Sequence, residues 1–207
     1  MLGKISALTC SDSHVYAGFF DGSILRWPLS HIANEIAKPL PVNQLQQDPE
    51  DDFPRSDGDA GSSSEDDDLV ERVPLIAASE CLPRAGIDSV NQLACLPLKQ
   101  ELLAGHKSAL SLFDLEDKIC HTLILQGTLG FVTLSDDDFV VQLTSTSLNV
   151  VGLAEKKVCG QIQIAQGTCV AKRSEASVAI GCENSKIYVY SINPQRGEIL
   201  LDFVIDN

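Results

Sequence analysis

Basic residues are scarce in this chain. Its 207 residues hold 15 Lys and Arg against 29 Asp and Glu, a net charge of −14. Such acidity repels phosphate backbones, so direct nucleic-acid binding is disfavoured. No apolar run approaches the roughly 20 residues that a membrane-spanning helix needs. The opening "MLGKISALTCSDSH" has neither the apolar core nor the small-residue cleavage site of a secretory signal. No C-x-x-C pair occurs among the seven cysteines, Cys10, Cys81, Cys95, Cys120, Cys159, Cys169 and Cys182. Without clustered ligands no zinc site is expected, and no other metal or cofactor. The thiols fall mostly inside apolar runs and read as small buried hydrophobes in a reducing compartment. G-x-S-x-G, P-loop and H-E-x-x-H motifs are absent. The four histidines, His14, His31, His106 and His121, lie in different segments without a partner motif, although a catalytic set formed only in space would leave no mark in the sequence. The acids Asp136 and Asp138 in "LSDDDF" join two apolar runs and read as a solvated turn. A non-enzyme is expected.

The acidity is concentrated. Between Asn43 and Glu80 stand twelve acids and two bases, leaving 17 acids and 13 bases for the rest of the chain. This stretch is rich in Asp, Glu, Ser, Gly and Pro and poor in aromatics. It lacks the apolar surface that would offset the entropy of ordering it. Its middle, about Gln46 to Asp68, reads as a disordered loop.

Elsewhere the chain breaks into apolar runs of about 4–8 residues separated by turn residues, which is strand spacing rather than helix spacing. Four segments align: "ISALTC…VYAGFFDGSILRWPL", "VNQLACL…ELLAGHKSALSLFDL", "LGFVTLS…FVVQLTSTSLNVVGL" and "GTCVAKR…SVAIGCENSKIYVYSI". Each reads strand, turn, strand, two-residue turn, strand. The third strands carry a bulky residue at a fixed place: Trp27, Phe113, Val151 and Tyr190. The steps from Phe113 to Val151 and from Val151 to Tyr190 are nearly equal. The step from Trp27 to Phe113 is more than twice as long, because the acidic stretch interrupts it. The central apolar residue of each first strand, Leu8, Leu93, Val132 or Val170, precedes the bulky one by a near-constant distance. Further apolar runs, "KICHTLIL", "KVCGQIQI" and "EILLDFVI", supply a fourth strand. Asp21 and Gly22 form an Asp-Gly hairpin turn in which glycine supplies the positive φ.

Four strands in each repeat of roughly 40 residues is the signature of a WD-type β-propeller. The segments "FDGSILRW", "ALSLFDL" and "CENSKIYVYSI" resemble the ends of WD repeats. That resemblance puts Trp27, Phe113 and Tyr190 at the family's tryptophan position, Asp114 at the aspartate after it, and Asp21 at its turn aspartate. Lys107, Ser145 and Asn184 take the place of Asp21 in the other repeats, so the family's hydrogen-bonded aspartate is mostly lost. The dipeptide Gly105–His106 looks like the family's Gly-His but falls too close before Asp114, the wrong place for it. The expected fold is therefore all-β: a partial propeller of four blades of four antiparallel strands with one acidic insertion. Residues 1–42 form the first blade, 43–88 the insertion with outer-strand residues near its C-terminal end, and 89–207 three further blades. Trp27, Phe113, Val151 and Tyr190 are expected in the blade core.

At a finer level, "TLGFVTLSDDDF…CENSKIYVYSI" resembles late blades of the actin-interacting protein 1 family, and "KISALTCSDSHVYAGFFDGSILRW" an earlier blade of its second propeller. The resemblance implies a cytoplasmic scaffold that binds actin filaments and cofilin and promotes filament disassembly. The alternative is a nuclear or nucleolar assembly factor with an acidic regulatory loop. In "GSSSEDDD", Ser62, Ser63 and Ser64 precede four acids and are candidate phosphoacceptors; a phosphate there adds about −1.5 to −2 of charge. Four repeats also fall short of the usual seven or so blades, so the chain is expected to be part of a larger propeller whose two end faces promote association. A dimer or a closed four-bladed ring is the alternative.

Overall fold

The computed structural model describes residues 4–37, 80–83, 88–135 and 137–206. The expected disordered loop, Ser62–Ser64 and Asp136 lie outside them. Sixteen described strands form four sheets, each a four-stranded antiparallel meander in sequence order. The first blade holds β1 (Ile5–Cys10), β2 (His14–Phe19), β3 (Ile24–Pro28) and β4 (Glu80–Cys81). The second holds β5 (Val90–Leu96), β6 (Glu101–His106), β7 (Leu110–Asp114) and β8 (Ile119–Ile124). The third runs through β9 (Gly130–Leu134), β10 (Phe139–Leu143), β11 (Ser147–Gly152) and β12 (Lys157–Gln163). The fourth comprises β13 (Gly167–Ser174), β14 (Ser177–Cys182), β15 (Ile187–Asn193) and β16 (Glu198–Ile205). The acidic stretch therefore enters between the third and fourth strands of the first blade. A short helix, α1 (Leu29–Ile36), directly follows β3. The strand-like spacing around it gives no hint of this helix; its signal is Ile32 and Ile36, one turn apart.

The core sits between blades rather than within them. One buried cluster joins Tyr16 and Ile24 of the first blade to Leu93, Leu102 and Phe113 of the second. Another joins Leu103, Leu110 and Leu112 of the second to Phe131, Val140 and Val151 of the third. A third joins Leu143, Leu148 and Val150 to Val178, Ile180 and Tyr190 of the fourth. Interior blades are thus covered on both faces, which explains their near-continuous apolar strands. No core cluster among the described residues joins the fourth blade to the first, so the described blades form an open stack and not a four-bladed ring.

The register is the same in every blade. Trp27, Phe113, Val151 and Tyr190 lie opposite Val15, Leu102, Val140 and Val178. Phe113, Val151 and Tyr190 are buried against the preceding blade. Trp27 is half-buried over a small cluster of Ala17, Phe19 and Leu25. One expected position needs correction. The first-strand residue in register with Leu8, Leu93 and Val170 is Phe131, which pairs with Gln142. Val132 faces the other way and packs in the cluster shared with the fourth blade.

A glycine recurs beside the blade interface. Gly18, Gly105 and Gly181 pair with Ile24, Leu110 and Ile187 on the third strands; the first two of these partners are buried and Ile187 is exposed. A Cβ on Gly18 would come within 2.5 Å of Val90 on the second blade, and one on Gly105 within 2.9 Å of Thr128 at the third. These glycines let the next inner strand approach closely. We expect Phe113→Ala to cost about 3–5 kcal/mol. Trp27→Ala should cost less, because its ring is half-buried where that of Phe113 is fully buried; urea denaturation followed by circular dichroism is the check.

Candidate functional site

A cleft opens between the first and second blades, with a volume of about 370 Å³. Its walls come from the β1–β2 turn (Ser11, Asp12, Ser13), from His14 and Tyr16 on β2, from Arg26 on β3, and from Cys95, Pro97, Gln100 and Leu115 of the second blade. The turn is locked by its own side chains. Ser11 Oγ accepts from the backbone N–H of Ser13 at 3.4 Å and of His14 at 3.1 Å. Ser13 Oγ lies 2.8 Å from His14 Nδ1. Gln100 takes the left-handed φ of 53° that ends the 3₁₀ turn at Pro97–Lys99. Arg26 pairs with Glu80 on the returning strand β4, and Lys118 Nζ reaches the other oxygen of Glu80 at 2.6 Å.

These charges set the local titration. The Lys118 hydrogen bond, assisted by Arg26, holds the Glu80 carboxyl below its ordinary value. Burial followed by the Arg26 charge lowers the His14 pKa, while Glu80 acts weakly in the opposite sense. Burial pushes up the Tyr16 hydroxyl and the Cys95 thiol. Among the described hydrogen bonds His14 has no carboxylate partner, so Ser13 and His14 do not form a triad. The described residues hold no group of three potential metal ligands. The cleft offers hydroxyls, an amide, an imidazole, the Asp12 carboxylate and the Glu80-paired guanidinium of Arg26, which suits a polar side chain of a partner. Its residues range from Ser11 to Leu115, and the strand spacing gives no warning that they meet.

The expected positions are distributed over the stack. Phe113 and Val151 are buried in the interfaces between blades. Tyr190 lines a second cleft of about 260 Å³ between the third and fourth blades, beside Gln163, Gln166, Asn184 and Tyr188. Gly22 has a φ of 79°. Asp21 Oδ1 accepts from Ser23 N–H at 3.0 Å. Asn184 does the same for Lys186 at 3.1 Å, so the amide keeps the turn contact of the aspartate it replaces. Asp114 caps the turn after β7 by accepting from Glu116 and Asp117 N–H. The cysteines depart from expectation: Cys182 is buried, but Cys10, Cys81 and Cys169 are exposed and the others are half-buried. Cys10 and Cys81 lie opposite Val15 and Leu25 on the first blade's outer face, and Cys169 opposite Gly181 on the fourth's, where no described blade covers them.

A buried polar network escaped the sequence pattern. Gln142 faces the second blade where the other blades carry Ala17, Ala104 and Ile180, and it donates to Thr128 Oγ1 at 2.8 Å. Asn149 donates to Gln142 Oε1 at 3.0 Å and accepts from Ser147 Oγ at 3.2 Å. Each amide is thus satisfied, as burial demands.

The fold is that of a WD-type β-propeller, represented by four of its blades. No family model matches the chain, and no curated protein matches it. Solved structures do. The N-terminal domain of Nup159 matches all of this chain and 44% of its own at 15% identity, with a TM-score of 0.58. A chain of the mitotic checkpoint complex matches over 97% of this chain and 53% of its own at 9% identity and a TM-score of 0.66. The WD40 repeats of RRP9 match over the same shares at 12% identity and a TM-score of 0.65. The chain spans about half the length of these relatives, and the likeness is one of fold.

His106 ends β6 fully buried at the junction of the first two blades, and neither ring nitrogen has a hydrogen-bond partner of normal geometry. Burial lowers its pKa below the ordinary 6.5, with the Asp88 backbone acting weakly in the opposite sense. As the pH falls through 6.5 the unfolded chain takes up this proton and the folded chain does not. Stability present above that pH is therefore lost as the pH drops toward the depressed native value. We expect the melting temperature to fall between about pH 7 and pH 5, and to fall less in His106→Gln. Glu101, whose pKa burial raises, works in the opposite sense in both proteins and cancels from the comparison.

Proposed function

We propose that the chain is a protein-interaction scaffold rather than an enzyme, and that partners dock on the cleft between the first and second blades. The observation that carries this reading is the cleft itself: polar, open, and lined by Ser11, Ser13, His14, Arg26 and Gln100 without a catalytic set. Solved relatives of the same fold come from assemblies, including Nup159 with dbp5 and gle1 and a chain of the mitotic checkpoint complex.

For the partner, we propose actin filaments and cofilin, with a cytoplasmic role in filament disassembly. The support is the sequence likeness of "KISALTCSDSHVYAGFFDGSILRW", which folds as β1–β3, and of Thr128 to Ile192, which spans β9–β15. The other reading is a nuclear or nucleolar assembly scaffold, favoured by the acidic, serine-rich insertion. In that reading Ser62, Ser63 and Ser64 are phosphorylated and the insertion tethers a basic partner. Co-sedimentation with filaments, with and without cofilin, separates the two. The actin reading expects pelleting that cofilin increases and that His14→Ala or Gln100→Ala reduces. No pelleting in either condition overturns it, and phosphopeptide mapping of Ser62–Ser64 in native protein then tests the alternative.

A further inference from the structure

The cleft of about 260 Å³ between the third and fourth blades differs from the first in position and in chemistry. The turns of an up-and-down meander alternate between its two ends. First-to-second strand turns, β1–β2 and β5–β6, wall the first cleft. The β12–β13 connection and the β14–β15 turn wall the second, and they stand at the opposite end of their blades. These two segments are tied together, Glu183 N–H donating to the Gln166 carbonyl at 3.0 Å. Ile164 and Tyr190 are buried and give the cleft an apolar lining, while Gln163, Gln166 and Asn184 are exposed and give it carboxamides. Asn184 orients Tyr188: its Nδ2 donates to the Tyr188 hydroxyl at 3.1 Å, and its Oδ1 is held by Lys186 N–H at 3.1 Å. A hydroxyl that accepts from Asn184 keeps its own proton for a ligand. The side chains of Gln163 and Gln166 and the Tyr190 hydroxyl make no hydrogen bond among the described residues. No lining residue is an acid or a base of the Asp, Glu, Lys, Arg or His kind; Glu183 and Lys186 flank the cleft without lining it, and Lys186 is paired with Asp206 at 2.7 Å.

We propose that this cleft is a second docking site, for an uncharged peptide segment of a partner protein. Its volume is below the roughly 300 Å³ at which pockets for drug-sized ligands begin, so it takes a residue or two of a larger partner. Peptide groups and a side-chain carboxamide present donors and acceptors together, and the cleft answers with the same pairing: Gln163 and Gln166 both donate and accept, and the Tyr188 hydroxyl donates. The aliphatic part of the segment packs on Ile164 and the tyrosine rings. A carboxylate or an ammonium would lose its water there without gaining a counter-charge, which disfavours charged segments. The first cleft, with Asp12, His14 and Arg26, has the contrary preference. Because the two clefts open at opposite ends of the blades, one chain can hold two partners at once. The inference stands whichever partner the first cleft binds.

Titration of the isotope-labelled full chain with capped tripeptides, followed by backbone amide shifts in NMR, gives the test. The probes are acetyl-Ala-Gln-Ala-amide and its counterparts with Glu or Lys in the middle. The Gln peptide is expected to move the amides of residues 163–166 and 182–190 and to leave those of residues 11–16 in place. The Glu and Lys peptides should bind at least about tenfold more weakly. Tyr188→Phe keeps the ring and removes the hydroxyl, and Gln163→Ala removes one exposed carboxamide. Each should weaken the Gln peptide roughly two- to tenfold while the circular dichroism spectrum stays that of the wild type. His14→Ala, in the first cleft, should leave its affinity unchanged. No movement at millimolar Gln peptide overturns the proposal. So do charged peptides that bind as well as the Gln peptide, shifts confined to the first cleft, or wild-type affinity in both Tyr188→Phe and Gln163→Ala.

Discussion

Face-to-face burial between neighbouring sheets is the constraint on which this structure depends. A single four-stranded meander has two apolar faces and little interior of its own. It becomes stable only when a second sheet covers it. The three clusters centred on Phe113, Val151 and Tyr190 are those coverings. Other features follow from them. Gly18 and Gly105 are small because an inner strand lies against them, and Gln142 and Asn149 are buried only because the network with Thr128 satisfies their amides. The open cleft lies at the turns of the first and second blades.

The same constraint explains the contrast between interior and end blades. Leu8 and Leu93, or Ile124 and Ile205, differ little in chemistry and not at all in register. Their exposure differs because one member of each pair has a neighbouring sheet and the other has none among the described residues. The exposed thiols have the same origin, since Cys10 occupies on the first blade the place that half-buried Cys95 takes on the second. Burial here is a property of the stack, and a residue's own strand does not determine it.

Much of the fold was legible in the sequence because the repeat is carried by spacing. Trp27, Phe113, Val151 and Tyr190 hold the same register whether the residue is indole, phenyl or isopropyl. The error at Val132 has a physical reason. Phe131 and Val132 are both apolar because the third blade is covered on both faces, so alternation does not tell which residue points which way. The cleft was not legible, because Ser11, Arg26 and Gln100 meet only after two sheets are stacked. The Gly-His pair was legible as a departure from the family pattern: His106 occupies the register of Phe19 and is a buried residue of a blade junction.

A size-swap cycle between Gly18 and Val90 tests the central claim, that the stability of this chain resides in contacts between blades. Gly18 has ordinary strand geometry, and a Cβ there would lie 2.5 Å from Val90 Cγ1 and 2.7 Å from Val90 Cβ. Gly18→Ala therefore overfills the junction of the first two blades, and Val90→Gly empties it. Equilibrium unfolding of both single variants and the double variant gives their coupling. The account predicts a double variant more stable than the sum of the single losses by at least about 0.5 kcal/mol. Strict additivity would contradict it, since the two blades would then not be packed on each other at this point.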